Sequence, residues 1–125
     1  MKKVLLIDDD KINNFLATLV IKQTKLAIVE KECLNGQEAI DYLSSSNLES
    51  LPDIILLDIN MPVLDGWQVL DYLTQTGKCK GVPIYVFSSS NYDLDIVRAK
   101  EYPIVTGYIV KPLKKELFIN LVEGL

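Results

Sequence analysis

Polar residues with distinct chemistry follow four short apolar runs of this chain. Three consecutive aspartates at positions 8–10 follow the first run, and Asp58 follows the second. Three serines at positions 88–90 follow the third run, and Lys111 follows the fourth. Carboxylates brought together repel each other unless a cation joins them, and a phosphoryl group would need both that cation and the lysine. If these side chains meet in space, they therefore predict a site for phosphoryl transfer.

The four apolar runs have the length and composition of buried strands. They lie at residues 4–7, 54–57, 84–87 and 108–110, and a polar residue ends each of them. Short runs that are apolar throughout are typical of strands covered on both faces, as in parallel sheets. Ligands of such sheets bind where the carboxyl ends of the strands meet. The pattern therefore predicts that the aspartates, serines and lysine share one edge of a sheet.

Helical patterns alternate with these strands. A charged stretch at residues 28–34 has the length and polarity of an edge strand, which makes five strands in all. Five βα units joined by right-handed crossovers favour a three-layer, doubly wound α/β sandwich. The first helix is predicted from apolar residues at amphipathic spacing, namely Ile12, Phe15, Leu16, Leu19 and Val20.

Composition limits the classes of function. The 125 residues suffice for one domain, and we expect no output domain after the fifth helix. The net charge of -4 argues against direct nucleic-acid binding. No apolar stretch is long enough for a signal peptide or a membrane span, and Cys33 and Cys79 lack a metal or redox spacing. These features predict a reduced, cytoplasmic protein. The absence of histidine excludes Ser-His and Cys-His triads.

Each polar group also has a purely structural interpretation. An aspartate directly before a helix is typical of an N-cap, which accounts for one acid but not for three in succession. One of the serines at positions 88–90 could cap the fourth helix. Lys111, however, stands between a buried strand and Pro112 and so cannot be a free surface side chain. Asp58 ends the most apolar strand, which a simple turn acid would not require. We therefore interpret the set as a site.

The motifs resemble those of the receiver domains of two-component response regulators, including the single-domain chemotaxis regulator. The resemblance covers essentially the whole chain, and it implies one receiver domain at residues 1–125 without an output domain. The implied fold is a flavodoxin-like (βα)5 sandwich, with a parallel five-stranded sheet in the strand order 2-1-3-4-5. The matching residues are Asp8, Asp9, Asp58, Ser88 and Lys111-Pro112, together with the run Asp58-x-x-Met61-Pro62-x-x-Asp65-Gly66.

The resemblance implies a role for each matching residue. Asp58 would accept a phosphoryl group from a phosphohistidine on a sensor histidine kinase or a phosphotransfer protein. Lys111 would pair with one phosphoryl oxygen, and the Ser88 hydroxyl would bond another. Ser88 and Tyr108 would form the switch, with the aromatic ring turning inward as the hydroxyl moves. Such a protein is not an enzyme, although self-phosphorylation from small donors and autodephosphorylation are expected.

A divalent cation and a downstream protein complete what the resemblance implies. The cation would be Mg²⁺, or Mn²⁺, held by Asp8, Asp9, Asp58 and the backbone carbonyl of Asn60. The downstream target would bind the face formed by the fourth helix, fifth strand and fifth helix, around Tyr108. Neither nucleic acid nor a membrane is expected as a partner. The protein would be a monomer or a phosphorylation-dependent dimer.

Other interpretations fit the residues less well. A phosphate-independent, receiver-like scaffold would commonly lack the acids. An aspartyl-nucleophile phosphatase uses a D-x-D motif that Asp8 and Asp10 nominally provide, but Lys11 and Ile12 follow where a small residue and Thr or Val are usual. A flavodoxin-like cofactor site would cradle a phosphate in its first loop, and the three aspartates would repel it. The segment at residues 101–107 departs from the receiver pattern, because it is longer than the usual short turn.

Overall fold

A computed structural model describes all residues 1–125, as five strands and five α-helices that alternate along the chain with one short 3-10 helix. The strands are β1 (Lys2–Ile7), β2 (Ala27–Cys33), β3 (Ile54–Leu57), β4 (Ile84–Ser88) and β5 (Val105–Val110). The helices are α1 (Lys11–Thr24), α2 (Gly36–Ser44), α3 (Gly66–Thr76), α4 (Asp93–Lys100) and α5 (Lys115–Glu123), and the 3-10 helix is Leu48–Ser50.

The sheet confirms the predicted architecture. All five strands are parallel and lie in the order β2-β1-β3-β4-β5. The register pairs Ile7 with Leu57 and Leu57 with Val86, so β1, β3 and β4 end at nearly the same level. The residues that follow these strands therefore meet at one edge, which is where parallel α/β sheets bind their ligands.

Two apolar layers cover the faces of the sheet. Leu5 and Ile7 belong to a cluster of 16 buried residues, whereas Val4 and Leu6 belong to a second cluster of 12 on the opposite face. Successive side chains of a strand point to opposite faces, so a central strand with helices on both sides has no solvent-facing position. This geometry explains why β1 and β3 are apolar throughout.

The first helix is confirmed, but its apolar stripe is not its buried face. Ile12 and Phe15 are 74% and 64% exposed, whereas Asn14, Ala17 and Ile21 are buried. A hydrogen bond from the Asn14 side-chain amide to the Asp8 carbonyl fixes the rotation of the helix and turns the Asn14 face inward. Four of the five residues of the stripe are therefore exposed, and only Val20 packs partly against the core.

The last strand is longer than predicted, and the last helix packs through two buried residues. β5 begins at Val105, three residues before the apolar run from which it was predicted. On α5 the structure buries Phe118 and Val122 but leaves Leu117 exposed. The Lys111-Pro112 peptide bond, which joins β5 to the last loop, is cis. None of the helices combines the length and apolar character needed to cross a membrane.

Candidate functional site

Three carboxylates meet at the carboxyl edge of the sheet, as predicted. The Asp58 backbone N–H donates to the Ile7 carbonyl at 2.8 Å, which places Asp58 beside Asp8. Asp8 is fully buried and Asp58 is 5% exposed, while Asp9 is exposed. One oxygen from each of the three carboxylates lies within 4.8 Å of the others. This edge therefore concentrates negative charge around a buried pair.

Lys111 supplies the ammonium group that compensates part of this charge. Its Nζ lies 2.6 Å from Asp8 Oδ2 and 3.2 Å from Asp58 Oδ2, and its side chain is only 11% exposed. The Lys111 N–H donates to the Ser88 carbonyl at 2.8 Å, which brings the lysine to the site from the end of β5. Lys111 pairs with two of the three carboxylates, Asp8 and Asp58, so the site carries a net negative charge.

Hydrogen bonds fix the orientation of Asp8. The Asn13 side-chain amide donates to Asp8 Oδ2 at 2.8 Å, and the Asp10 N–H donates to Asp8 Oδ1 at 2.9 Å. Asn14 donates to the Asp8 carbonyl at 2.9 Å. Asp10 itself caps α1 by accepting from Ile12 and Asn13 N–H groups, which is the structural role considered for one of the three acids. Sequence reasoning missed both asparagines, although amides in the first turn of a helix after acidic residues were an available signal.

The environment makes Asp58 harder to ionise. Burial is the main reason that its pKa rises from 3.8 to about 6. The charge of Lys111 lowers this pKa, the charge of Asp8 raises it, and the Asn60 N–H that donates to Asp58 Oδ1 lowers it slightly. Burial also opposes the charge on Lys111, but its hydrogen bonds and charge interactions with Asp8 and Asp58 outweigh burial and raise the lysine pKa.

The donor set fits a hard divalent cation. Carboxylate oxygens are the ligands that Mg²⁺ and Mn²⁺ prefer. Asp9 carries an exposed carboxylate without a hydrogen-bond partner, so it is free to act as a ligand. Both oxygens of Asp8 already accept hydrogen bonds, from Asp10, Asn13 and Lys111. A cation would relieve the repulsion that one lysine leaves uncompensated.

Ser88 and Tyr108 both reach the loop that leads into α4. Ser88 is buried at the end of β4, and its Oγ accepts from the Ser90 N–H at 3.1 Å. The Tyr108 hydroxyl donates to the Ser90 carbonyl at 2.8 Å. The Ser90 hydroxyl donates to Asp95 Oδ2 at 2.7 Å and accepts from the Tyr92 N–H. None of the three serines is the N-cap of α4; Tyr92 holds that position, without a side-chain cap. Ser90 therefore joins the end of β4 to the first turn of α4.

The loop after β3 passes close beneath Asp58. A Cβ added at Gly66 would overlap the Asp58 carbonyl oxygen and lie 2.7 Å from the Ile59 Cα, so this position requires glycine. Asp65 caps α3 in a reciprocal capping box with Gln68. Val63 adopts a φ of 69°, a conformation that is unfavourable for a β-branched residue. The Asp65-Gly66 motif therefore starts α3 while allowing it to pack directly against the Asp58 backbone.

Comparison with known sequences identifies related proteins. The sequence model described as the response regulator receiver domain matches residues 4–123. The nitrate/nitrite response regulator protein NarL of Escherichia coli strain K12 is 34% identical over 113 residues, which make up 90% of this chain and 49% of NarL. The chain thus spans about half the length of that relative.

Solved structures agree with the fold over nearly the whole chain. A two component response regulator from Cytophaga hutchinsonii superposes with a TM-score of 0.85 and 32% identity, covering 98% of this chain and 94% of that chain. The Mn(2+)-bound form of response regulator Rcp1 superposes with a TM-score of 0.77 and 27% identity, covering 99% and 91% of the two chains.

Proposed function

The chain belongs to the response regulator receiver family, and on this basis we propose that it is a phosphoacceptor whose Asp58 receives a phosphoryl group from a phosphohistidine of a partner protein. Receiver domains of this family act in two-component signalling and are generally not enzymes. The observation that carries the proposal is the buried Asp58 carboxylate, which lies against Lys111 and beside two further acids.

Asp58 has the protonation state and the surroundings of a nucleophile. A pKa of about 6 leaves the carboxylate ionised at neutral pH. One of its oxygens forms the new bond to phosphorus while the P–N bond to the donor imidazole breaks, and the imidazole nitrogen keeps the electron pair. Lys111 pairs with a phosphoryl oxygen in place of one of its present carboxylate partners, and the buried Ser88 hydroxyl donates to another.

We propose Mg²⁺, or Mn²⁺, as the cation, held by Asp8, Asp9, Asp58 and the Asn60 carbonyl. The acidic cluster and the Mn(2+)-bound relative support this assignment. When bound, the cation offsets the negative charge that gathers on the phosphoryl oxygens. Hydrogen bonds from the Asn13 side chain and the Asp10 N–H keep Asp8 oriented toward the site.

The surface beside the site suits a protein donor. The exposed apolar stripe of α1 begins at Ile12. The next residue is Asn13, whose side-chain amide donates to the Asp8 carboxylate. A kinase or phosphotransfer protein that brings its imidazole to Asp58 would cover this stripe. Phe15→Ser should lower the ratio of transfer from a protein donor to transfer from acetyl phosphate about tenfold. An unchanged ratio would refute this docking surface, and Leu48→Ser, also exposed, is the matched control.

The output runs through Ser88 and Tyr108. A Ser88 hydroxyl drawn toward the phosphoryl group would disturb its bond from the Ser90 N–H, and Tyr108 is bonded to the same loop residue. The face of α4, β5 and α5 around Tyr108 and Lys114 would then bind a downstream protein. The single-domain organisation of residues 1–125 and the monomer or phosphorylation-dependent dimer stay predictions.

Intact mass measured after incubation with acetyl phosphate and Mg²⁺ tests the proposal. We expect one phosphoryl adduct, which EDTA prevents and which Asp58→Asn abolishes. Asp53→Asn is the matched control, because Asp53 is a half-buried acid just before β3 whose carboxylate accepts from the Lys3 N–H. An adduct that persists in Asp58→Asn, or no adduct on any variant, would refute the phosphoacceptor role.

A further inference from the structure

An aromatic cluster connects α3 to the end of α4. The rings of Trp67 and Tyr102 stack, with centroids 6.0 Å apart and planes 20° apart. The Arg98 guanidinium lies 4.3 Å from the centroid of Trp67. The Tyr102 hydroxyl donates to Asp71 Oδ1 at 2.7 Å. We call these four residues the α3–α4 clamp.

The clamp holds the C-terminal end of α4. Ala99 is the buried residue of this helix, and the Tyr102 N–H donates to its carbonyl, so the clamped tyrosine directly continues the helix. Trp67 is itself buried in the core beneath α3. Stacked aromatic rings bury much area and add a specific attraction, and a cation over a ring adds more. This end of α4 is therefore attached to the rigid part of the domain.

The N-terminal end of α4 is attached differently. Leu94 is exposed, and the N-cap residue Tyr92 makes no side-chain cap. The main link is the hydrogen bond from Ser90 to Asp95, and the Ser90 backbone is bonded to Ser88 and Tyr108. These hydrogen bonds are partly buried, but each adds little net stability because water can replace either partner. The clamp has an exposed hydrogen bond of its own, from Tyr102 to Asp71, but it also stacks Tyr102 on the buried ring of Trp67. The end that senses the switch is thus the end that is held less firmly.

We propose that α4 pivots on the α3–α4 clamp. In this mechanism, occupation of Asp58 rearranges residues 89–96 through Ser88 and Ser90, while residues 97–104 keep their positions. The inference rests on the proposed phosphoacceptor function, but the clamp is a property of the free protein as well. A downstream protein would therefore recognise a change in the first half of α4 and a constant surface in the second half.

Hydrogen exchange followed by mass spectrometry tests the pivot in the full chain, with and without Mg²⁺ and beryllium fluoride, an analogue of the phosphoryl group. In the free protein, amides of residues 97–104 should exchange about tenfold more slowly than those of residues 89–96. The analogue should change exchange at residues 89–96 and leave residues 97–104 within about twofold of the free protein. A change that spreads equally over both halves would overturn the pivot.

Variants of Tyr102 identify the clamp as the cause. Tyr102→Leu removes the stacked ring and should let the analogue-induced change extend through residues 97–104. Tyr102→Phe keeps the ring and should retain the confined pattern. A variant that destabilised the whole domain would not retain this pattern. Arg98→Gln, at an exposed position, should also let the change extend into residues 97–104, but less strongly. It replaces Tyr102→Leu as the test if that variant does not fold. A confined pattern in both Tyr102→Leu and Arg98→Gln would overturn the clamp.

The failure of the pivot and of the proposed function can be told apart. Fluorine NMR reports whether beryllium fluoride is bound, and Asp58→Asn is the control without binding. An absent bound signal would overturn the phosphoacceptor function and with it the ligand-driven pivot. Bound analogue together with equal exchange of the two halves in the free protein would overturn the pivot alone.

Discussion

The acid site and the α3–α4 clamp are both built around one cation. Lys111 lies between Asp8 and Asp58 with a side chain that is 11% exposed, whereas Arg98 lies over the neutral ring of Trp67 and is exposed. Each cation connects secondary-structure elements that are distant in sequence. The clamp contains one cation, Arg98, and one anion, Asp71, so its charges balance. The acid site contains three carboxylates and one ammonium, which pairs with only two of them.

The uncompensated charge marks the acid site as the reactive region of this domain. The raised pKa of Asp58 reports a carboxylate that burial and Asp8 destabilise and that Lys111 only partly stabilises. Such a carboxylate is stabilised when a cation or a phosphoryl group binds to it. The clamp gains nothing from a ligand and can therefore act as a fixed support.

Gly66 connects the two regions, so its substitution should have the largest effect. A Cβ there would overlap the Asp58 carbonyl, and the next residue is Trp67 of the clamp. Gly66→Ala should lower the free energy of unfolding by about 4 kcal/mol, because backbone on both sides must shift. Urea unfolding measures this loss. Gly124→Ala, whose Cβ would lie 3.4 Å from the Asn120 carbonyl, is the control and should be nearly neutral. A loss below about 1 kcal/mol for Gly66→Ala would contradict the packing argument.

Removal of the buried cation should be the next most costly change. Lys111→Met leaves Asp8 and Asp58 without their shared ammonium and should lower the free energy of unfolding by about 3 kcal/mol in metal-free buffer. Added Mg²⁺ should recover part of the loss, and Lys114→Met, on the surface, should show neither effect. Equal stability of the two variants in urea would mean that Lys111 is not needed for charge compensation.

The acid site should also give the domain a specific pH dependence. The folded pKa of Asp58 is about 6 and its ordinary value is 3.8, so the folded state holds the proton more tightly. Stability from this group is fully present below pH 3.8 and is lost as pH rises through about 6. Without divalent cations, about 2 kcal/mol should disappear between pH 4 and 6.

Urea midpoints measured across this pH interval test the sign. Asp58→Asn should remove the decline, because the amide does not titrate. Saturating Mg²⁺ should weaken the decline, since a bound cation favours the ionised carboxylate. A wild-type midpoint that rises from pH 4 to 6 by more than that of Asp58→Asn would show that Asp58 is stabilised, not strained, as a carboxylate.

The smallest effect concerns the loop between the two regions. Val63 is 75% exposed at a φ of 69°, so its side chain contributes little packing while its backbone is strained. Val63→Asn should raise the free energy of unfolding by about 1 kcal/mol, because asparagine tolerates this conformation. Thermal unfolding measures the gain. A lower melting temperature would mean that the Val63 side chain makes a contact that outweighs the strain.

Positions of the acids could be predicted from sequence because strand ends are local signals. An apolar run that stops at Asp8 or Asp58 fixes where a strand ends, and parallel pairing then brings the ends together. The same logic placed Ser88 and Lys111. The predicted fold followed from the alternation of these runs with helical patterns, and the structure confirms it.

The face of a helix that becomes buried was harder to predict. Apolar spacing on α1 identified a helix, but the exposed stripe has the stronger periodicity, and the buried face contains a polar residue, Asn14. The hydrogen bond that turns this face inward depends on the Asp8 backbone and has no signature in helical spacing. The stacking of Trp67 on Tyr102 was missed for a similar reason, since contacts between distant helices leave no regular spacing in sequence.

The attachment of α1 to Asp8 has a thermodynamic consequence. Asn13 and Asn14 hold the Asp8 side chain and carbonyl from the same helix that displays the apolar stripe. A protein that tilts α1 when it binds would displace this aspartate. A cation bound by the aspartate would therefore resist the tilt. Reciprocity of binding free energies then requires the protein to change the cation affinity by the same factor as the cation changes the affinity for the protein.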